Sequence, residues 1–305
     1  GYGRMRGGRR PPCQRALRGA RCGERGGGDR AVVRARSRNV AAGGGGGGGD
    51  GLLTLGSGTQ VTNIGSIVGG VSGASGGGGS TAGASGAGVN LAAGFNVLSN
   101  VGTITGGAGN GGAAGVGVIT NGDVIVNGGT ISGGLYSDGV TRAAAIQFNG
   151  TNNTLQLLTG SNIIGNLDVA AGAAAKITAG SAGLSLSNNV TLGDATSRVT
   201  LDSTTTNLVV SGVISGAGSV GVTGSRTITL TGGNTYTGAT AITTGTLQIG
   251  NGATTGSVAG NIVNNGTLAF NRSDAVTYAG TISGSGNVVQ TGAGTLTISG
   301  TAGYA

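Results

Sequence analysis

The residues that could do chemistry in this 305-residue chain are few. Asp168, Lys176, Asp194, Arg198 and Asp202 are the one concentration of charge outside the N-terminal segment. Paired carboxylates such as Asp194 and Asp202 can serve as general acid and base, and Asp, Arg and Lys clusters act on anionic polysaccharides. Loop charges that keep a repetitive protein in solution are the more ordinary explanation, so no catalytic residue is nominated. The sequence contains no His, which removes the usual general base and the commonest metal ligand, and with them Ser-His-Asp and Cys-His catalysis within this chain.

Metal and phosphate motifs fare no better. Cys13 and Cys22 are the only cysteines, and two thiols with no His do not make a zinc site. Gly45 to Leu53 formally fits a calcium-binding nonapeptide with Asp50, but a polyglycine run satisfies its glycines trivially and no tandem copy completes the ligand shell. No Gly-Lys-Ser/Thr exists to cradle a phosphate. The expectation is a chain without catalytic residues, metal or cofactor.

The elements that would carry these residues follow from composition. Gly accounts for 73 residues, charged residues for 9%, and aromatic residues for 3% with no Trp. Yet 37% of the chain is hydrophobic, which is apolar surface enough to repay ordering. A thin core of aliphatic side chains stacked on copies of themselves suits a solenoid better than a globule.

The net charge of +8 is unevenly placed. Residues 1–42 carry twelve Arg against Glu24 and Asp29, a net +10, whereas the remainder carries four Arg, Lys176 and seven Asp, a net −2. A basic-patch argument for nucleic acid therefore applies only to the leader, where Arg6 to Gly8 and Arg25 to Gly27 are Arg-Gly-Gly triplets and Tyr2 is the one aromatic for base stacking. The leader has no apolar run of signal-peptide length. It reads as disordered, and as misread or unprocessed sequence.

Three zones result. Residues 1–49 are the Arg/Gly-rich leader closed by the run Gly43 to Gly49, which reads as a flexible hinge. Residues 50–117 are Gly- and Ser-rich with short apolar pieces, an irregular early solenoid. Residues 118–305 show short period-2 strands bounded by Gly, Asn, Asp or Ser: Val124/Val126, Leu155/Leu157, Leu167/Val169, Leu184/Leu186, Val190/Leu192, Val199/Leu201, Leu208/Val210, Val220/Val222 and Ile228/Leu230. No 3.6-residue apolar period is sustained, so the chain is all β.

Internal repetition sharpens this. Gly212 to Gly232 aligns without gaps on Gly280 to Gly300 at an offset of 68, with 11 of 21 residues identical. A Gly-Thr-Leu cadence returns at Gly245, Gly266 and Gly294, at intervals of 21 and 28. Such spacing predicts the coils of a parallel β-helix, about nine over residues 118–305.

Thr227 to Gly250 (TITLTGGNTYTGATAITTGTLQIG) resembles the passenger-associated β-strand repeat of bacterial autotransporters, with Asn234-Thr235-Tyr236-Thr237-Gly238 as its signature corner. There the Asn is expected to bond its own backbone, Gly238 to take positive φ, and Thr and Tyr to favour strand. A second copy begins at Gly294 and departs from the pattern at Thr301 to Ala305, and Ala144 to Leu167 is a looser likeness. The resemblance implies a right-handed parallel β-helix displayed at the outer membrane or released from a Gram-negative cell by a C-terminal barrel. It also implies a structural or adhesive, non-enzymatic role toward a host-surface, matrix or neighbouring-cell ligand. This chain shows no signal peptide and no barrel strands, which the resemblance places in a full-length protein. The alternatives are a carbohydrate-active β-helix enzyme and RNA binding through the leader.

Overall fold

In the computed structural model, the described residues are 47–73 and 82–304. The leader, with Cys13, Cys22 and both Arg-Gly-Gly triplets, lies outside them. All regular structure among the described residues is β-strand, thirty short strands of two to six residues, every one paired in parallel with a neighbour. The protein is a parallel β-solenoid. One eleven-stranded sheet runs its length, flanked by a seven-stranded sheet and, on the third face, by a four-stranded and then a six-stranded sheet, with a two-stranded sheet near the C-terminus. At about 4.8 Å per strand the eleven strands span roughly 48 Å. Nine of them follow residue 118, from Val124–Asn127 to Ala302–Tyr304, matching the coil count expected there.

Stacked identical positions build the core. Along the eleven-stranded sheet the register places Val61, Leu98, Ile125, Leu155, Ile177, Leu201, Val222 and Ile242 in one inward column. Each is at most 1% exposed. Stacking like on like gives every aliphatic side chain the same neighbours one coil away, so a few residues per coil suffice for a continuous dry interior. Aromatics plug it at intervals: Phe148, Tyr236 and Phe270 are buried, and Phe270 meets the Tyr278 ring at 6.2 Å in a tilted pair.

The coils change size along the rod. Their register offsets are 37, 27 and 30 residues for the first three steps (Val61↔Leu98, Leu98↔Ile125, Ile125↔Leu155) and 20 to 24 afterwards. The third face breaks where the size changes. Strand Asn162–Ile164 ends the four-stranded sheet and Ser185–Leu186 begins the six-stranded one. Across the break Asn188 Nδ2 donates to the carbonyls of Ile163 (2.8 Å) and Gly165 (2.9 Å), replacing the missing ladder.

The repeats map onto the coils less directly than their spacing predicts. The copies Gly212 to Gly232 and Gly280 to Gly300 do not occupy equivalent faces. Strands of the first fall in the seven-, eleven- and six-stranded sheets, those of the second in the eleven-, six- and two-stranded sheets. An offset of 68 exceeds three coils of about 21 residues by one strand and its turn, so the copy is turned by one face. Likewise Gly245 to Ile249 and Gly266 to Phe270 do stack, Leu247 on Leu268, but the place above the latter is taken by Asn287–Gln290, not by Leu296–Ile298. In strand Val124–Asn127 the inward residues are Ile125 and Asn127, not Val124 and Val126.

The Gly- and Ser-rich stretch contributes full coils in register with the rest, and its glycines form a structure of their own. Between the third face and the seven-stranded sheet the chain makes long excursions, described at residues 69–73, 82–88, 106–117 and 133–145. Their limbs interleave in a continuous hydrogen-bond chain: Ala143 N to Gly134 O, Gly134 N to Gly115 O, Gly115 N to Gly107 O, Gly107 N to Gly86 O, Gly86 N to Gly70 O, and Gly70 N to Gly49 O, all at 2.7–3.0 Å. A Cβ on Gly86, Gly107, Gly115 or Gly134 would collide with a carbonyl oxygen of a neighbouring limb. Only glycine lets backbones approach so closely, with the second α-hydrogen directed at that oxygen. Gly47 to Gly49 belong to this layer, Gly48 N donating to Ala84 O, so the described end of the polyglycine run is a packed limb and not a hinge.

Candidate functional site

The five charged residues singled out above do not form one site. Asp168 lies in strand Leu167–Val169 of the seven-stranded sheet, half-buried beside Thr191. Lys176 and Asp202 lie on the eleven-stranded sheet and approach to 3.5 Å, with Lys176 largely exposed, a pairing that contributes little to stability. Arg198 lays its guanidinium over the next coil, where a Cβ on Gly221 would stand 2.8 Å from its Nη2. Gly221 makes room for it.

Asp194 and Asp202 are separately occupied. Asp202 lies within strand Arg198–Ser203 and Asp194 in the turn that precedes it, and each carboxylate is taken up by its own set of donors. Asp194 Oδ1 accepts hydrogen bonds from Ser197 Oγ (2.8 Å), Gly172 N (3.1 Å), Thr196 Oγ1 (2.8 Å) and the amides of Thr196 and Ser197. Those donors, Ser197 first, hold its carboxyl far below the usual range. For Asp202, partial burial pushes the carboxyl up, but Thr204 through its hydroxyl and amide and Lys176 by its charge outweigh that and leave it lowered. Neither is suited to hold a proton near neutrality. Asp168 alone is raised, by burial against a weaker opposing bond from Thr191.

Asp50, the residue of the calcium-like nonapeptide, spends both carboxylate oxygens on the next coil. Oδ1 accepts from Ala87 N (2.8 Å) and Oδ2 from Asn90 Nδ2 (2.9 Å). No cluster of three metal-ligating side chains occurs among the described residues.

The signature corner of the β-strand repeat is a coil-to-coil rivet. Asn234 Oδ1 accepts from Ile214 N one coil below (2.8 Å), while its Nδ2 donates to Ser257 O one coil above (2.8 Å) and more weakly to Gly232 O of its own turn (3.3 Å). Tyr236 is fully buried, its hydroxyl 2.6 Å from Thr240 Oγ1. Gly238 does not adopt positive φ. It is glycine because a Cβ would strike the Gly218 carbonyl of the coil below. Positive φ falls on Gly245 (75°), which opens the following Gly-Thr-Leu strand. Thr227 pairs with Thr246 and Leu230 with Ile249, so one repeat motif is one coil laid on itself.

Sequence reasoning missed two internal polar networks. Asn63, Asn100 and Asn127 are each at most 1% exposed and form a ladder inside one corner: Nδ2 of Asn63 to Oδ1 of Asn100, Nδ2 of Asn100 to Oδ1 of Asn127, and Nδ2 of Asn127 to Ser161 Oγ, each at 2.8 Å. The signal was present as NIGSIVGG at residues 63–70, NVGTITGG at 100–107 and NGGTISGG at 127–134. Excursions of different length between the copies, which set offsets of 37 and 27, hid the period. In the opposite corner buried Asp123 accepts from Asn96 N, Asn96 Nδ2, Thr120 Oγ1 and Asn121 N, all at 2.7–3.0 Å. Both networks join coils and leave no buried side-chain donor or acceptor unpaired among the described residues.

A cleft of about 80 Å³ opens at the break in the third face, lined by Leu157, Ser161, Asn162, Ile163, Ser185, Leu186, Ser187 and Asn188. It is far smaller than the several hundred Å³ that small-molecule sites occupy.

A scan against protein-family models finds no match, and no solved structure is matched. Among curated proteins the chain is similar to the Adhesin BmaC autotransporter of Brucella suis biovar 1 (strain 1330), 68% identical over 38 residues. Those residues are 12% of this chain and 1% of the length of that adhesin.

Proposed function

We propose that this chain is part of the passenger of an autotransporter-like adhesin, displayed at the cell surface or outer membrane, whose rod holds contact loops away from the cell. The observation that carries the reading is the 68% identity over 38 residues to an autotransporter adhesin, found in a chain that folds as a β-solenoid. The resemblance of the coil at Thr227 to Gly250 to the passenger-associated repeat accords with it. The role is structural and adhesive, without catalysis. Many weak contacts along a rigid rod combine by effective concentration, so no deep pocket is required. The geometry of Asp194 and Asp202 gives the carbohydrate-active enzyme reading no support.

The test couples the purified 305-residue chain to inert beads and counts beads retained on cultured host cells, on matrix-coated plates and on a producing-cell lawn. Retention on one of these above that of beads carrying an unrelated β-solenoid is the expected result. Equal retention on all three would remove the adhesive role.

A further inference from the structure

Just ahead of the strands of the eleven-stranded sheet, the early coils turn a corner through a left-handed residue. Register aligns Gln60 with Val97, Val97 with Val124 and Val124 with Thr154. The equivalent corner residues are therefore Gly58 (φ 71°), Phe95 (56°), Gly122 (81°) and Asn152 (65°). Gly lacks the Cβ that makes this conformation costly, and Asn tolerates it through local hydrogen bonds. A bulky aromatic there is an outlier, and strain of that kind gathers at functional positions. Packing does not offset it, because Phe95 is 76% exposed, while its neighbour Asn96 is fully buried and supplies the corner's hydrogen bonds.

We propose that Phe95 is a ligand contact, an aromatic platform for a neutral sugar ring at the corner between the seven- and eleven-stranded sheets. The face of an aromatic ring is electron-rich and attracts the polarised C–H groups on the flat side of a pyranose. The surroundings suit the hydroxyls. Asn121 of the next coil is exposed, with its backbone carbonyl against Gly94 and its side-chain amide engaged only at 3.5 Å with Ala92 O; Thr151, one coil further, is exposed as well. Charge is absent from this surface: in the corner segments 55–59, 92–96, 121–123 and 150–153 the one ionisable residue, Asp123, is buried and bound. An ionic ligand would find no partner. The apolar surface here is small, Leu55, 81% exposed, being the only other large apolar side chain protruding from these segments, which fits a single ring better than a protein face.

This inference rests on the adhesive reading above and names its ligand class. The test uses the full chain and its Phe95→Asn and Phe95→Tyr variants on an array of neutral oligosaccharides built from glucose, galactose and N-acetylglucosamine, alongside thermal melting and the bead assay. Asn is the residue the same corner carries at position 152. Expected are binding to at least one oligosaccharide, a loss of tenfold or more in Phe95→Asn, retention in Phe95→Tyr, and a melting temperature for Phe95→Asn equal to or above that of the parent. A melting temperature several degrees lower would make Phe95 a structural residue and overturn the proposal, as would unchanged oligosaccharide binding. Bead retention lost in Phe95→Asn with no oligosaccharide bound by the parent chain would assign Phe95 to a protein ligand, overturning the sugar while leaving adhesion in place. No retention by the parent chain and no oligosaccharide bound would overturn both.

Discussion

Asn100 donates its side-chain amide to Oδ1 of Asn127 at 2.8 Å in the dry interior of the solenoid, and accepts from Asn63 at the same distance. The ladder does what a core hydrophobe cannot: it also donates to the carbonyls of Thr103 and Thr130 at a corner where the chain leaves its sheet. Replacing Asn100 by Leu would strand a donor on Asn63, an acceptor on Asn127 and the Thr130 carbonyl. At about 1–3 kcal/mol for each buried unpaired group, partly relieved by relaxation, a loss of roughly 3–5 kcal/mol is expected in urea unfolding.

The interleaved glycine layer gives the sharpest steric prediction. Gly86→Ala or Gly107→Ala directs a methyl group into a backbone carbonyl that cannot move without breaking the hydrogen-bond chain from Ala143 to Gly49. A destabilisation of about 3 kcal/mol or more is expected, with faster amide exchange at Gly70, Gly115 and Gly134. Gly233→Ala is the control, since its Cβ would meet nothing within 4 Å and its φ is not positive, and it should leave the melt unchanged.

The architecture was legible in the sequence where aliphatic residues alternate, because a period of two and stacking of like residues leave a direct trace. Leu155/Leu157 and Val199/Leu201 point inward as expected. The Gly-rich stretch was not legible. Glycine carries no pattern that separates a hinge from a close-packed limb, and the distinction at Gly47 to Gly49 lies in which distant carbonyl each Cα faces. Among the candidate site residues, the fate of Asp194 depended on five hydrogen bonds supplied by Gly172, Thr196 and Ser197, and no spacing rule reads those. The strain at Phe95 was equally hidden, since only the register reveals that its equivalents are Gly58, Gly122 and Asn152.

Acid should weaken the fold, and the sign follows from the lowered carboxyls. Asp194, Asp202 and Asp274 all titrate below the ordinary value in the folded chain. Their contribution is therefore present above the unfolded-state value near 4 and is lost as pH falls through the lower folded values. Melting temperature should hold from pH 7 to about 5 and drop between about 4 and 2, with a smaller drop in Asp194→Asn.

Asp168 should behave in the opposite sense. Burial raises its carboxyl, so the folded chain binds that proton more tightly than the unfolded one, and the associated stability fades as pH rises through the raised value. Asp168→Asn should raise the melting temperature at pH 7 and leave it nearly unchanged at pH 3.

At the alkaline end, burial first of all pushes the Tyr236 hydroxyl up to about 12, and the same cause takes Tyr278 to about 12. The unfolded chain ionises near pH 10, so stability that is complete below that pH declines from about 10 toward 12. Tyr236→Phe should flatten this limb, while lowering stability at pH 7 by about 1–3 kcal/mol because buried Thr240 loses its hydroxyl partner.

The central claim is that the solenoid is displayed outside the cell, and surface shaving tests it most directly. Intact producing cells are treated briefly with a protease that does not enter them, and the released peptides are identified by mass spectrometry against a cytosolic marker. The account predicts peptides from residues 47–304 in the released fraction under conditions that release none from the marker. Peptides found in the lysate in quantity and absent from the released fraction and the culture medium would contradict it.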